Sequence, residues 1–353
     1  MKKSILYFFF ITLVVFSSCG DGTYTSSSLP DASGRVDEII VVMDDQAWDG
    51  ESGKAVRRVL TDSYPGLPQP EPRFDLNQVP PLGFEKILKR SSTIVYVGNL
   101  EGNGATDKAI QEQVERLGEK KPRYLFSVND VWANPQQVIY LFGNDEEDLI
   151  NVLDVKQEQI LNRIYTIEDR KAYRNAYAGQ VNKGLSAYVK QKYDITFKVP
   201  GKFEEIVKND SMIWFRQELK LMKKGTEMSN IIIHSQPYEK ESEFNLEYPI
   251  NKRNELGVYV ESEKAGARMT TETKHLEPIQ KKFTTEDGLE VIETRGLWKM
   301  TGDFMGGPFI NYCVKDKKNK RIVTFDGFVY SPQAKKRRAI RKLEAMYKTL
   351  KVN

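Results

Sequence analysis

A change in hydrophobic rhythm near residue 193 most constrains what this chain can fold into. Before it, short β-branched runs alternate with segments of helical periodicity; after it, one strand-like segment follows another. In the first half, Val36–Met43 (VDEIIVVM), Thr93–Val97 (TIVYV), Tyr124–Val128 and Val138–Phe142 read as buried strands. Between them, Ala55, Val56, Val59, Leu60 and Ser63 recur at helical spacing behind the cap candidates Asp49 and Ser52, and Tyr64-Pro65-Gly66 stops the run. The prolines of PGLPQPEPRF then force an extended path. A helix from about Thr106 carries Ile110, Val114 and Leu117 on one face, with Gly118 as its cap. Asn144 with Glu147 has capping-box spacing ahead of Leu149, Ile150 and Leu153. Strands alternating with helices predict a mixed α/β sheet domain over residues 36–153.

Residues 154–192 read as a helical connector of one or two helices. Ile160, Leu161 and Ile164 make one apolar face, and Tyr173, Tyr177, Val181, Leu185 and Tyr188 continue as a second stripe. Such a stripe is ordinarily a core seam whose hydroxyls reach the domain edge; the alternative is a binding face. Over residues 193–353 the segments ITFKVP, MIWFRQEL, SNIIIHSQ, LGVYVES, ARMTTETK, GLEVIETRGLWKM, PFINYCV and RIVTFDGFVY predict an antiparallel β-rich domain. Met305–Phe309 (MGGPF) reads as a tight glycine turn between strands. A helix from about Pro332 to Lys351 closes the domain, so the whole is expected to be an α+β or mixed α/β fold. Between Lys335 and Lys351 that helix has eight basic residues against Glu344 alone, with an apolar stripe of Ile340, Leu343, Met346, Tyr347 and Leu350. The expectation is a helix packed by its stripe with its charges in water, and contact with anionic lipid or an acidic partner as an additional role.

The chain begins MKKSILYFFFITLVVFSSCG. Lys2 and Lys3 form a positive start, and Ile5–Phe16 is apolar apart from Thr12, short of the ~20 residues needed to span a bilayer. Small residues Ser17 and Ser18 then precede Cys19. Residues 1–18 are therefore read as a signal peptide and residues 19–35, rich in Gly, Ser and Thr, as a flexible tether. The pattern resembles the bacterial lipoprotein signal, although Phe16 stands where that signal usually has Leu. The resemblance implies cleavage before Cys19, acylation of its thiol and amino group, and membrane attachment through the N-terminal lipid. Lipidation of Cys19 would leave Cys313 the only thiol, within the alternating run FINYCV, where it reads as a small buried hydrophobe.

Without Lys2 and Lys3 the chain has 51 basic residues against 49 acidic, a net of +2, which argues against a nucleic-acid partner. P-loop, G-x-S-x-G and H-E-x-x-H motifs are absent, and there are two histidines, His234 at a strand end and His275 in a Glu/Lys-rich stretch. No catalytic residue, metal ligand or cofactor is assigned from these. Asp44, Asp45 and Asp49 follow the first strand, at the end where open α/β sheets bind ligands. They carry the alternative reading of a membrane-tethered hydrolase; a solvated turn with a helix cap is the plainer one.

The first strand with Trp48, the PGLPQPEPRF segment, GLWKMTGDFMGGPF, and GFVYSP followed by KKRRAIRKLEAMY resemble a family of uncharacterised Bacteroidota lipoproteins described only as a domain of unknown function. The similarity runs through the whole mature chain and carries no catalytic residue with it. It implies a lipid-anchored envelope protein. The lack of an acidic cluster after Cys19 favours the periplasmic side of the outer membrane. The function expected is a non-enzymatic binding or envelope-assembly module with an envelope protein as partner. The ITFKVPGKFE opening and the later IWFRQE strand are also loosely similar to Mog1/PsbP-like domains, at the level of fold.

Overall fold

The computed structural model describes residues 29–118 and 123–353, so Cys19, the leader and the tether as far as residue 28 lie outside the described residues. The N-terminal half runs β1 (Glu38–Val42), α1 (Asp45–Asp49), α2 (Glu51–Leu60), β2 (Asp75–Val79), α3 (Lys86–Lys89), β3 (Thr93–Asn99), α4 (Ala105–Arg116), β4 (Leu125–Asn129), β5 (Gln137–Gly143), α5 (Glu146–Val155) and α6 (Gln157–Ala176). Its sheet has the order β2-β1-β3-β5-β4, parallel except for β4. Strands β1, β3 and β5 read as continuous apolar runs because both of their faces are covered. Ile39, Val41, Val95, Val97, Ile139 and Leu141 meet α2, α5 and the start of α6. Ile40, Ile94, Tyr96, Val138 and Tyr140 face the other way, toward Ile110 and Val114 of α4 and toward Phe84.

The second half runs α7 (Lys183–Tyr193), β6 (Ile195–Thr196), β7 (Glu204–Lys208), β8 (Met212–Leu221), β9 (Gly225–Pro237), α8 (Tyr248–Leu256), β10 (Met269–Glu272), β11 (Ile279–Thr284), β12 (Glu290–Met300), β13 (Gly306–Asp316), β14 (Arg321–Tyr330), α9 (Arg337–Tyr347) and β15 (Lys351–Val352). Its main sheet is antiparallel in the order β10-β12-β13-β14-β9-β8-β7, with β11 added against β12. Strand periodicity divides the side chains between two faces. Ile213, Phe215, Ile231, Ile233, Ile310 and Phe325 lie under α7 and α9. Trp214, Ile232, Trp298, Phe309 and Phe328 form the opposite face with Leu256 of α8. There Arg253 is buried against Asp326 (Nε–Oδ1 2.6 Å) with its guanidinium 3.5 Å from the Phe309 ring centroid.

The mixed α/β architecture with an antiparallel second half and a closing helix is therefore the observed one, and the departures are local. β2 (DLNQV), β7 (EEIVK) and β11 (IQKKFT) escape the pattern because strands at or beyond a sheet edge have no need of a buried apolar face. LGVYVES is a short 3₁₀ turn following α8, whose sequence YPINKRNEL buries charged side chains and shows little amphipathicity. Asp145, one residue later than expected, caps α5 by accepting from Asp148 N–H at 2.8 Å. The tyrosine stripe is interrupted: α6 ends at Ala176 and Val181 sits on a bridge with Pro200. Gly306 and Gly307 belong to β13, and a Cβ on Gly307 would stand 2.1 Å from the Val329 carbonyl, which also accepts from Trp298 Nε1. Close approach of β14, rather than a turn, explains that glycine.

The closing helix differs most from expectation. It stops at Tyr347, which stacks on Tyr312 at 3.6 Å, and residues 351–352 pair with β6. Its apolar stripe does pack on the second sheet, but two of its three arginines are not in water: Arg337 and Arg341 are buried. Arg341 donates to Asp37 Oδ1 (3.2 Å), Asp169 Oδ1 (2.7 Å) and Glu344 Oε2 (2.8 Å), and lies 4.8 Å from the Tyr165 ring centroid. Arg337 reaches Asp37 Oδ2 at 3.4 Å and Asp75 Oδ2 at 2.7 Å. The proline-rich segment completes the junction. Tyr64 and Leu67 enter the core of the second half, Tyr64 OH donates to Glu344, and Glu71 accepts the Lys336 and Arg337 N–H groups that open α9. Like charges at i, i+4 on a helix ordinarily face solvent together; here both arginines face carboxylates of the other half.

Removing one partner of such a network leaves buried charges uncompensated, so Arg341→Met is expected to lower stability by about 3–5 kcal/mol in urea denaturation. The acids also carry a pH signature. Burial alone would raise the Glu344 carboxyl, but Arg295, Arg341 and the Tyr64 hydroxyl outweigh it and hold it at about 2. Its stabilising contribution is thus complete above the ordinary 4.5 and lost as pH falls toward 2. The stability difference between wild type and Glu344→Gln is expected to shrink by roughly 3 kcal/mol between pH 7 and pH 2. Asp37 acts in the opposite sense: burial, opposed by Arg341, raises it to about 6, so stability falls as pH climbs from 3.8 to 6. The paired Asp37→Asn measurement separates the two groups.

Candidate functional site

The three aspartates of the hydrolase reading lie at the C-terminal end of β1. That strand has β2 on one side and β3 on the other, so a crevice opens beyond it where chain direction through the sheet reverses. The cleft there has a volume of about 520 Å³, and Asp44, Asp49, Glu51, Asp107 and Glu146 line it. Most of these carboxylates hold the surrounding loops. Asp44 accepts from Thr106 N–H at 2.9 Å and from Ala105 N–H at 3.3 Å, which places a negative charge on the N-terminus of α4. Asp107 accepts from Asn99 N–H and Gly104 N–H, and Glu146 accepts from Ser52 Oγ at 3.0 Å. Asp45 points elsewhere and accepts from Gln78 Nε2.

The loop GNLEGNG between β3 and α4 owes its glycines to those acids. A Cβ at Gly98 or Gly102 would stand 2.4 or 2.1 Å from an Asp107 oxygen, and one at Gly104 would stand 2.5 Å from Asp44 Oδ2. Glycine-rich loops entering a helix commonly cradle a phosphate on free N–H groups. Here the chain's own carboxylates occupy those donors.

The second candidate lies at the junction of the two halves. Two adjoining cavities of about 750 and 420 Å³ share Asn175, Ala178 and Arg338 and form one groove along the C-terminal end of α6 and the flank of α9. Tyr173 and Tyr177, the first members of the tyrosine stripe, line the larger cavity with their rings 4.8 Å apart. Lys342, Lys202, Gln217 and Glu227 line the smaller one. Lys342 donates to Gln217 Oε1, and burial, reinforced by Lys202, brings its ammonium group down to about 8 against the pull of Glu227. A lysine so lowered in a cleft is a recognised mark of a functional position. Sequence reasoning found the tyrosines; it missed Lys202 and Lys342 as a pair because they come together only when α9 crosses the second sheet.

The other singled-out residues do not converge on either site. His234 is buried in the second sheet, where burial and Lys252 lower it to about 4, so it is neutral at physiological pH. His275 is exposed beside Glu272. Cys313 is buried and burial pushes its thiol up to about 12, far from a reactive thiolate. Trp48 lies under the Arg57 guanidinium at 4.5 Å. Among the described residues no group of three or more His, Cys, Asp or Glu side chains is placed to hold a metal ion, and no helix is long and apolar enough to cross a membrane.

Two family models match the chain. Residues 32–177 match a domain of unknown function, DUF8532, and residues 182–349 match a second domain of unknown function, DUF4837. The matches meet at the break between α6 and α7. No curated protein matches the chain.

The capping role assigned to Asp44 has a direct check. Asp44→Ala leaves the Ala105 and Thr106 N–H groups without their acceptor and is expected to cost about 1–2 kcal/mol in urea denaturation. Asp49→Ala, at a side chain with no hydrogen bond among the described residues, is expected to change stability by less than about 0.5 kcal/mol.

Proposed function

We propose that the chain is a lipid-anchored protein of the bacterial cell envelope, attached through Cys19 to the outer membrane with its body on the periplasmic side. In this reading it serves as a non-enzymatic binding or assembly module. The leader pattern supports the attachment. One structural observation carries the binding reading: α9 and the proline-rich segment join two separately cored halves through a buried ion network, and an open groove runs along the seam. A surface built from both halves, with Arg338 and Lys342 held by hydrogen bonds, suits recognition of a partner or ligand. Asp44, Asp107 and Glu146 at the switch-point cleft are engaged in holding the surrounding loops and helix ends, which leaves the groove the better-formed candidate.

Metabolic labelling with a palmitate analogue tests the anchor. The wild-type chain is expected to carry the label in the membrane fraction, and Cys19→Ala is expected to lose both; label retained in the variant defeats the lipid assignment. Cross-linking in intact cells tests the binding role. Repeated recovery of one envelope partner is expected, whereas recovery of abundant proteins at random would remove the reading.

A further inference from the structure

Charge is unevenly distributed around the groove. Arg35, Lys171, Arg174, Lys202, Arg338 and Lys342 line it, against Glu227 as the one carboxylate among its lining residues. Some of these cations are already committed. Lys171 donates to the buried Glu168 at 2.9 Å, and Arg338 donates to Asp75 at 3.0 Å and to the Val36 carbonyl at 3.1 Å. Arg35 approaches Glu38 only to 3.7 Å and is largely exposed. Arg174 and Lys202 have no ion-pair partner among the described residues, and the hydrogen bond of Lys342 is to a neutral amide. Three cations thus face the groove with Glu227 alone to oppose them, and two of them, Lys202 and Lys342, repel each other.

Exposed lysines normally relieve such repulsion by spreading into water. Lys342 is half-buried, held in place by Gln217 and by the Phe203 ring 5.3 Å from its ammonium nitrogen, and that burial, with Lys202 adding less than Glu227 gives back, is the main cost to its charge there. A bound anion would remove that cost and would also meet Arg338, whose orientation is already set. The tyrosine rings of the larger cavity offer an apolar wall for the carbon framework of the same ligand.

We infer that the groove between α6, α9 and the turn end of the β8–β9 hairpin is a binding site for a multivalent anion, a small molecule bearing two or more phosphate or carboxylate groups, held by Arg174, Lys202 and Lys342. This deepens the binding reading and rests on it. Charge-assisted hydrogen bonds from Lys and Arg are the strong ones, and a partly enclosed site lessens their screening.

Isothermal titration of the full-length chain in detergent, with tripolyphosphate and with tricarballylate as probes, tests the site. Saturable binding is expected. The double variant Arg174→Glu/Lys202→Glu, altered at two exposed residues, is expected to weaken it at least tenfold, and Lys108→Glu on α4 is expected to leave it unchanged. Affinity is expected to fall from pH 7 to pH 9 as Lys342 loses its proton, with Lys202, Arg338 and Glu227 the other charges facing it; Lys342→Arg is expected to flatten that profile. Tighter binding of tripolyphosphate assigns the phosphate class, and tighter binding of tricarballylate the carboxylate class. No saturable binding of either probe, or equal binding by the double variant, overturns the inference. If that happens while cross-linking still recovers one partner, only the anion site falls; if both fail, the binding reading falls with it.

Discussion

The Arg341 guanidinium donates to carboxylates from three places: Asp37 at the start of β1, Asp169 on α6 and Glu344 on α9 itself. Taking that many charges out of water is costly, and a buried ion pair is often no more stabilising than apolar residues of the same volume. What the network supplies is geometry. A greasy contact between α9 and the first half would tolerate sliding, whereas Arg341 and Arg337 must each find Asp37, and Arg337 and Arg338 must each find Asp75. Glu71 fixes the axial position of α9 by accepting from the first N–H groups of the helix. The proline-rich segment that carries Glu71 lacks regular structure because its task is to lay Tyr64, Leu67 and Glu71 against the other half.

The second half repeats the device on its other face. Arg253 of α8 is buried against Asp326 of β14, and Asn311 donates to the same carboxylate. α8 and α9, on opposite faces of the sheet, are thus each registered by a buried arginine. This accounts for α8 being invisible in the sequence. A helix held against the sheet by Arg253, with Lys252 buried beside it, has charged residues where an amphipathic reading demands apolar ones.

Legibility followed the burial of apolar surface. β1, β3 and β5 were plain because both faces of a central parallel strand are covered, and β8, β9, β13 and β14 because long antiparallel strands keep their alternation. β2, β7 and β11 were not, since DLNQV, EEIVK and IQKKFT satisfy backbone hydrogen bonds at or beyond an edge without filling a core. On α9 the stripe was legible and the charges were misread. Eight cations against one acid describe a solvated helix unless Asp37, Asp75 and Asp169 are known to stand opposite, and those acids lie 165 residues or more away in the chain. The candidate groove was hidden for the same reason, because Lys202 and Lys342 are neighbours only in three dimensions. The aspartates after β1 were legible as a cluster at a ligand-binding position. The engagement of Asp44 with the α4 N-terminus was not, because it depends on the path of the GNLEGNG loop, nor was that of Asp45 with Gln78 of β2.

The two fates of the cations on α9 are connected. Arg337 and Arg341 turn toward the first half and are neutralised there, while Lys342, one residue on, turns to the groove. Arg338 does both: it lines the groove and holds Asp75 and the Val36 carbonyl. An anion entering the groove therefore meets a guanidinium whose rotamer is already fixed by the junction, so little side-chain entropy remains to be lost on contact. The ion network that joins the halves is also what preorganises the groove, and loosening the first would blur the second. A helix whose sequence reads as packed by its stripe with its charges in water is in the structure a partition, with Arg337 and Arg341 compensated on the side of the junction and Lys342, opposed by Glu227, on the side of the groove.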